Sequence, residues 1–209
     1  MKNKIITLLA VFTAIVFGSV SVYSQTGCPT SPVPDPPGSL NCQWQLNVTT
    51  FFDMLMPDGT LCNASLIFCE RCCDGNSEFY LQSLSLPKAC VDRQGVGFSL
   101  YQKSIQDQVR SHMFRNSCSD NPPAYPPCPD QSVSYVYEHK SPCYNVQYVY
   151  TLNGLMTVLS SCIAEIGCTK RYTVCFDGTK NIYTFADNPY SVSCPTNTNG
   201  CFGICNEQP

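Results

Sequence analysis

Apolar residues along the 209-residue chain fall into short runs, and two periodicities can be read from them. Strict alternation rich in Val and Tyr predicts strands at 132–138 (SVSYVYE) and 144–151 (YNVQYVYT), because β-branched and aromatic side chains pack well on a pleated surface. Further strands at 171–176 and 181–185 flank Asp177-Gly178, and strands at 65–69 and 78–84 flank Asp74-Gly75. Asp-Gly is a hairpin signal, since glycine accepts positive φ. Helical spacing predicts two amphipathic helices. Over 100–114, Leu100, Tyr101, Ile105, Val109, His112 and Met113 share one face; over 153–166, Leu155, Met156, Leu159, Cys162 and Ile163 do the same. The expected fold class is therefore α+β and disulfide-rich, with small antiparallel β-sheets and one or two short amphipathic helices packed on them.

The N-terminus reads differently. Lys2 and Lys4 precede a nearly continuous apolar stretch from Ile5 to Val22, and Val22-Tyr23-Ser24 places small residues where a signal peptidase reads. This predicts a secretory signal peptide over 1–24 with cleavage before Gln25. A retained anchor is the competing reading, but polar and small residues cluster at the C-terminal end of the stretch. Thr26-Gly27-Cys28 has a lipobox ending, against which Gln25 stands where an aliphatic residue is expected. No later segment approaches a second spanning length, so no membrane span is expected after signal removal.

Sixteen cysteines change the picture most. They are Cys28, Cys42, Cys62, Cys69, Cys72, Cys73, Cys90, Cys118, Cys128, Cys143, Cys162, Cys168, Cys175, Cys194, Cys201 and Cys205, all downstream of the expected cleavage point. That density belongs to oxidising compartments, where thiols pair, and an even number leaves none over. All sixteen are disulfide candidates, although spacing alone cannot give their connectivity. Cys69-x2-Cys72-Cys73 and Cys201-x3-Cys205 have zinc-like spacing. With only two histidines in the chain, the disulfide use is preferred, and no metal or cofactor is expected. Charged residues make up only 13%, and turn-forming residues fill the gaps between apolar runs. Each crosslink would add roughly 2–4 kcal/mol to such a loop-rich chain.

Proline punctuates the same region. One proline-rich stretch runs from Cys28 to Gly38 and another from Pro122 to Pro129. The expected organisation is a signal peptide (1–24), a first cysteine-rich module (25–121), a proline-rich connector (122–130) and a second module (131–209). The two modules look related. Cys28, Cys42, Cys62 and Cys69 recur as Cys128, Cys143, Cys162 and Cys168 at offsets of 100, 101, 100 and 99, and CCDGNSEFY at 72–80 resembles CFDGTKNIY at 175–183.

Charge and chemistry exclude more than they assign. Without Lys2 and Lys4, ten basic residues face fifteen acidic ones, a net charge of −5, and the basic residues are scattered. A nucleic-acid partner would need a basic stripe, so nucleic acid is not expected. His112 lies on the apolar helix face. His139 sits near Cys143, but that cysteine belongs to the even set and is expected to be crosslinked. No G-x-S-x-G elbow is present. Two-carboxylate hydrolysis would need a pair drawn from Asp53, Asp58, Glu70, Asp74, Glu78, Glu165 and Asp187, which sequence cannot pair. Asp74 to Glu78 resembles part of a calcium loop but lacks its glycine and distal glutamate. The aromatics are more suggestive. Tyr135 and Tyr137 share one strand face and Tyr148 and Tyr150 another; in a hairpin they would form a cross-strand cluster, either core or a platform for ligand contact. Trp44 is expected to pack on a disulfide. Asn47-Val48-Thr49 and Asn63-Ala64-Ser65 are glycosylation sequons. The leading functional expectation is a secreted, extracellular, non-enzymatic binding or structural module that meets a protein or glycan (cell-surface or periplasmic in a bacterium). The alternatives are a small carboxylate hydrolase, or an inhibitor of extracellular hydrolases presenting Cys128 or the Cys194–Cys205 loop.

Overall fold

The computed structural model describes residues 27–29, 42–73, 76–115, 125–128, 134–195 and 200–205. Its elements in chain order are β1 (Gln45–Leu55), β2 (Leu61–Cys73), β3 (Asn76–Pro87), α1 (Lys88–Asp92) and α2 (Lys103–Arg115), then β4 (Ser134–Lys140), β5 (Tyr144–Thr151), β6 (Gly154–Ser161), β7 (Cys168–Phe176) and β8 (Asn181–Ser191).

All eight strands belong to one mixed sheet, in the order β1-β2-β3-β4-β7-β8, with the β5–β6 hairpin attached through β6 to β3. This corrects the expectation of several small antiparallel sheets in an α+β arrangement. The decisive element is β3. Its first half pairs in parallel with β4, from Ser77↔Val136 to Leu81↔Lys140, and its second half pairs antiparallel with β6, from Ser83↔Ser160 to Pro87↔Met156. Between them the register with β2 shifts, at Ile67/Phe68, where Leu81 and Ser83 become partners of consecutive β2 residues. The extra residue, Gln82, is a β-bulge. It keeps Phe79 and Leu81 before it, and Leu84 and Leu86 after it, in the same buried core. The sheet therefore forks at the bulge. A parallel β3–β4 pair cannot be joined by a tight turn, and α1 and α2 lie in the connection between them.

Helix α2 covers one face of the sheet. Ile105, Val109, Met113 and Phe114 are buried among Met54, Leu66, Phe68, Phe79 and Leu81. The predicted apolar face is thus found, although the helix begins at Lys103 and Leu100 packs from the preceding turn. His112 stacks on Phe52, with ring centroids 4.3 Å apart, and its Nε2 lies 3.0 Å from the Thr50 hydroxyl.

The helix expected over 153–166 does not form; Gly154–Ser161 is strand β6. Asn153-Gly154 is a hairpin turn rather than a helix start, closing at Thr151↔Gly154 with Gly154 at φ 105°. Thr157, Val158 and Leu159 are buried in succession, as in a strand covered on both faces. Strands form at Ser134–Lys140 and Tyr144–Thr151, within and beside the segments that alternation predicts, but they do not pair with each other. β4 lies between β3 and β7, and β5 pairs with β6 and, at Tyr144, with Phe202.

Six disulfides have both partners described: Cys28–Cys69, Cys62–Cys90, Cys128–Cys175, Cys143–Cys194, Cys162–Cys201 and Cys168–Cys205. Cys42 and Cys72 are disulfide-bonded as well. Under the 100-residue offset, Cys28–Cys69 would recur as Cys128–Cys168 and Cys62–Cys90 as Cys162–Cys194; neither does. These bonds therefore do not repeat at the 100-residue offset, and one sheet runs through both halves. Among the described residues, no helix is long and apolar enough to cross a membrane. The signal-like segment and Cys118 lie outside the described residues.

Candidate functional site

Two places concentrate chemistry, one buried and one exposed. The buried one spans β2, β3, β4 and β7 on the sheet face opposite α2. Strand alternation places Glu78 (β3), Tyr137 and His139 (β4) and Thr169 (β7) on that face, since Glu78 is opposite Tyr137 and His139 is opposite Thr169. His139 Nδ1 lies 2.8 Å from the Thr169 hydroxyl and its Nε2 lies 3.1 Å from Glu78 Oε2. Arg71 donates from its terminal nitrogen to the same Glu78 oxygen at 2.6 Å. Trp44 caps the group, with the Arg71 guanidinium 4.6 Å from its ring centre and the His139 ring edge-on at 6.0 Å. Trp44 also packs against the cluster containing Cys28 and Cys69, the disulfide-stacking role expected of it.

A hydroxyl, an imidazole and a carboxylate in a row invite comparison with acyl-transfer triads. Here the order of nitrogens is reversed: the carboxylate is on Nε2 and the hydroxyl on Nδ1. More decisively, Glu78 and His139 have no solvent exposure and Thr169 has 1%. The hydroxyl is therefore closed off from solvent in this structure. Burial would raise the Glu78 pKa, but hydrogen bonds and charge from His139 and then Arg71 outweigh it and hold the carboxyl below its usual range. The group acts as a charged brace across four strands.

A second buried acid, Glu138, faces the helix side. It accepts from Arg110 Nε at 3.0 Å and from the Tyr172 hydroxyl at 3.2 Å, with Lys140 Nζ 3.4 Å from its other oxygen. Burial raises its pKa, yet Lys140, Arg110 and Lys170 together bring it down to about 2. The remaining candidate acids do not converge on a cleft: Asp53, Asp58 and Glu165 are exposed, Glu70 is buried, and Asp187 pairs with Arg171. Asp74 lies outside the described residues.

The zinc-like cysteine spacings are spent on other bonds: Cys69 joins Cys28, Cys201 joins Cys162 and Cys205 joins Cys168. Among the described residues no cluster could hold a metal ion.

The tyrosines separate. Tyr135 and Tyr137 are neighbours, 6.2 Å apart, on the buried-brace face; Tyr137 stacks on His139, and Arg171 lies over Tyr135. Tyr148 and Tyr150 belong to β5 and stand out in solvent at 62% and 84% exposure, with Val146 and Leu152 exposed beside them. Lys88, itself paired with Asp92, lies over the Tyr148 ring.

This hairpin is bonded to β3 along Met156–Ser160 of β6 and clamped at its base. Cys143 immediately precedes β5 and Cys162 immediately follows β6, and the Cys162 amide donates to the Cys143 carbonyl at 2.9 Å. Both cysteines are tied to the C-terminal segment, through Cys194 and Cys201. Tyr144 and Phe202 then exchange two backbone hydrogen bonds. Within the segment 194–205, read above as an inhibitory loop, residues 200–205 strap this base: Ile204 is buried, and Phe202 packs on Tyr101. Sequence reading missed the clamp. Its signal was present, as 18 residues without a charge bounded by Cys143 and Cys162. Both sequon asparagines, Asn47 on β1 and Asn63 on β2, are exposed.

Comparison with protein-family models, curated proteins and solved structures finds no match.

Proposed function

We propose that the chain is a secreted, disulfide-braced binding module of the extracellular space, and that its recognition surface is the β5–β6 hairpin. The observation that carries this reading is the contrast within that hairpin. Its base is fixed by two disulfides and a backbone-paired strap, while Tyr148 and Tyr150 project into solvent. Exposed tyrosines on a fixed frame are costly to leave in water and lose little entropy on contact, which is the economy of a binding surface. The disulfides themselves are compatible with an oxidising, extracytoplasmic setting. The hydrolase reading gains nothing from the buried Glu78–His139–Thr169 row, which is closed off from solvent.

The test is a double variant, Tyr148→Ser with Tyr150→Ser, compared with the parent on immobilised extracellular proteins and insoluble polysaccharides. The parent should be retained on at least one probe, with affinity about tenfold or more above the variant's. Equal retention of both, with the fold intact by circular dichroism, would remove the hairpin from the proposal.

A further inference from the structure

The sheet ends in three edges, β1, β5 and β8, and they are not alike. Exposed edges invite pairing with another chain, and stable monomers protect them with bulges, charges or proline. β1 begins with a register shift between Gln45 and Val48, has Asn47 at φ 55° and carries Asp53. β8 carries two register shifts against β7, as well as Asp187 and Pro189. β5 has none of these devices. Its eight pairs with β6 run without a shift from Tyr144↔Ser161 to Thr151↔Gly154, and it contains neither a charge nor a proline.

The direction of its free backbone groups follows from Tyr144. That residue both donates to and accepts from Phe202, so its amide and carbonyl point away from β6. In an unshifted antiparallel strand the outward groups recur every second residue, which places those of Val146, Tyr148 and Tyr150 on the open edge. The edge is thus already paired at its start by this chain's own Phe202 and open beyond it.

We propose that this open edge pairs antiparallel with β5 of a second copy of the chain, about a twofold axis at Tyr148. That register sets Val146 opposite Tyr150 of the other copy, Tyr148 opposite its own equivalent, and Gln147 opposite Val149. Outward groups then meet outward groups at each paired position. The cross-strand partners are aromatic with β-branched and aromatic with aromatic, both favourable combinations. Self-pairing of most strands meets like charges, but here none face one another. Lys88, which lies over the Tyr148 ring, is neutralised by its pairing with Asp92. The strand is its own electrostatic complement. This inference rests on the reading of the β5–β6 hairpin as the interaction surface and names its partner.

Analytical ultracentrifugation of the oxidised full chain tests it, together with Tyr148→Lys and Tyr148→Glu. The parent should associate to a dimer. Each charged variant should sediment as a monomer, because it places two like charges at the axis, and an equimolar mixture of the two should recover dimer at least about tenfold more tightly than either alone. Amide exchange on the unaltered protein gives a second readout, with the amides of Val146, Tyr148 and Tyr150 becoming protected as concentration rises. A parent that stays monomeric up to about 1 mM overturns the dimer. So does a dimer indifferent to both charge variants, or one in which those three amides exchange freely. Should the parent be monomeric while the serine double variant still loses probe binding, the dimer fails and the recognition surface stands.

Discussion

Glu138 on β4 and Arg110 on α2 form the one ion pair that crosses from sheet to helix among the described residues, at 3.0 Å and with the carboxylate out of contact with water. Lys140 and Tyr172 complete its shell, so the acid remains charged down to about 2. A depressed carboxylate contributes stability that is present above its unfolded value, near 4.5, and is lost as pH falls towards about 2. Acid titration followed by tryptophan fluorescence should therefore show unfolding in that window. Glu138→Ala should cost about 3–5 kcal/mol in urea denaturation, because it leaves Arg110 and Lys140 charged and without their acid.

The Glu78 brace predicts a different hierarchy. Glu78→Gln removes the charge that Arg71 and His139 share, and should destabilise by about 3 kcal/mol or more. Thr169→Val removes only one side-chain hydrogen bond to His139 and should cost about 1–2 kcal/mol. Both changes should alter Trp44 emission, since that ring covers Arg71 and His139. Equal costs for the two variants would mean that the carboxylate is not the centre of the cluster.

These two clusters were illegible in the sequence for a physical reason. Glu78 and His139 are 61 residues apart and meet only because β3 and β4 pair in parallel, a long-range arrangement that no local signal encodes. What was legible was local. The alternation in β5 and the Asp177-Gly178 turn between β7 and β8 reflect side-chain packing and backbone freedom within a few residues. So does the spacing of Ile105, Val109 and Met113 on α2. β1 went unread because Leu46, Phe51 and Leu55 are apolar yet exposed, which blurs its alternation. β6 was misread because Leu155, Met156 and Leu159 satisfy helical spacing, while Asn153-Gly154 was weighed as a helix start. Cysteine spacing suggests a 100-residue offset that the described bonds do not follow.

The division of crosslinks makes a prediction about the connector. None of the six disulfides with both partners described joins a residue before 122 to one after it, the Cys128–Cys175 bond tying the end of the connector to the second half, whereas the sheet crosses that boundary through β3–β4 and β3–β6. A protease site introduced into the connector ahead of Cys128 should, once cut, leave a particle that co-elutes intact in native buffer. Non-reducing denaturing electrophoresis of the same material should resolve two fragments. A single band there would reveal a covalent link between the halves.

Gly167 predicts a cost that neither periodicity nor turn chemistry suggests. It sits just before β7, where a Cβ would lie 2.1 Å from the Pro142 nitrogen and 2.2 Å from its Cα, distances that backbone cannot accommodate. Nor can the glycine simply retreat. Its amide donates to the Lys140 carbonyl at 2.8 Å, and its carbonyl accepts from Val192 at 2.6 Å, so it is pinned between the end of β4 and the residue after β8. Gly167→Ala should therefore destabilise by about 3 kcal/mol or more, the upper end of overpacking costs. Gly154→Ala, with open space around it but φ at 105°, should cost only about 1 kcal/mol. Urea denaturation of the two variants side by side separates steric collision from backbone strain. A Gly167→Ala protein as stable as Gly154→Ala would show that Pro142 does not close on this turn in solution.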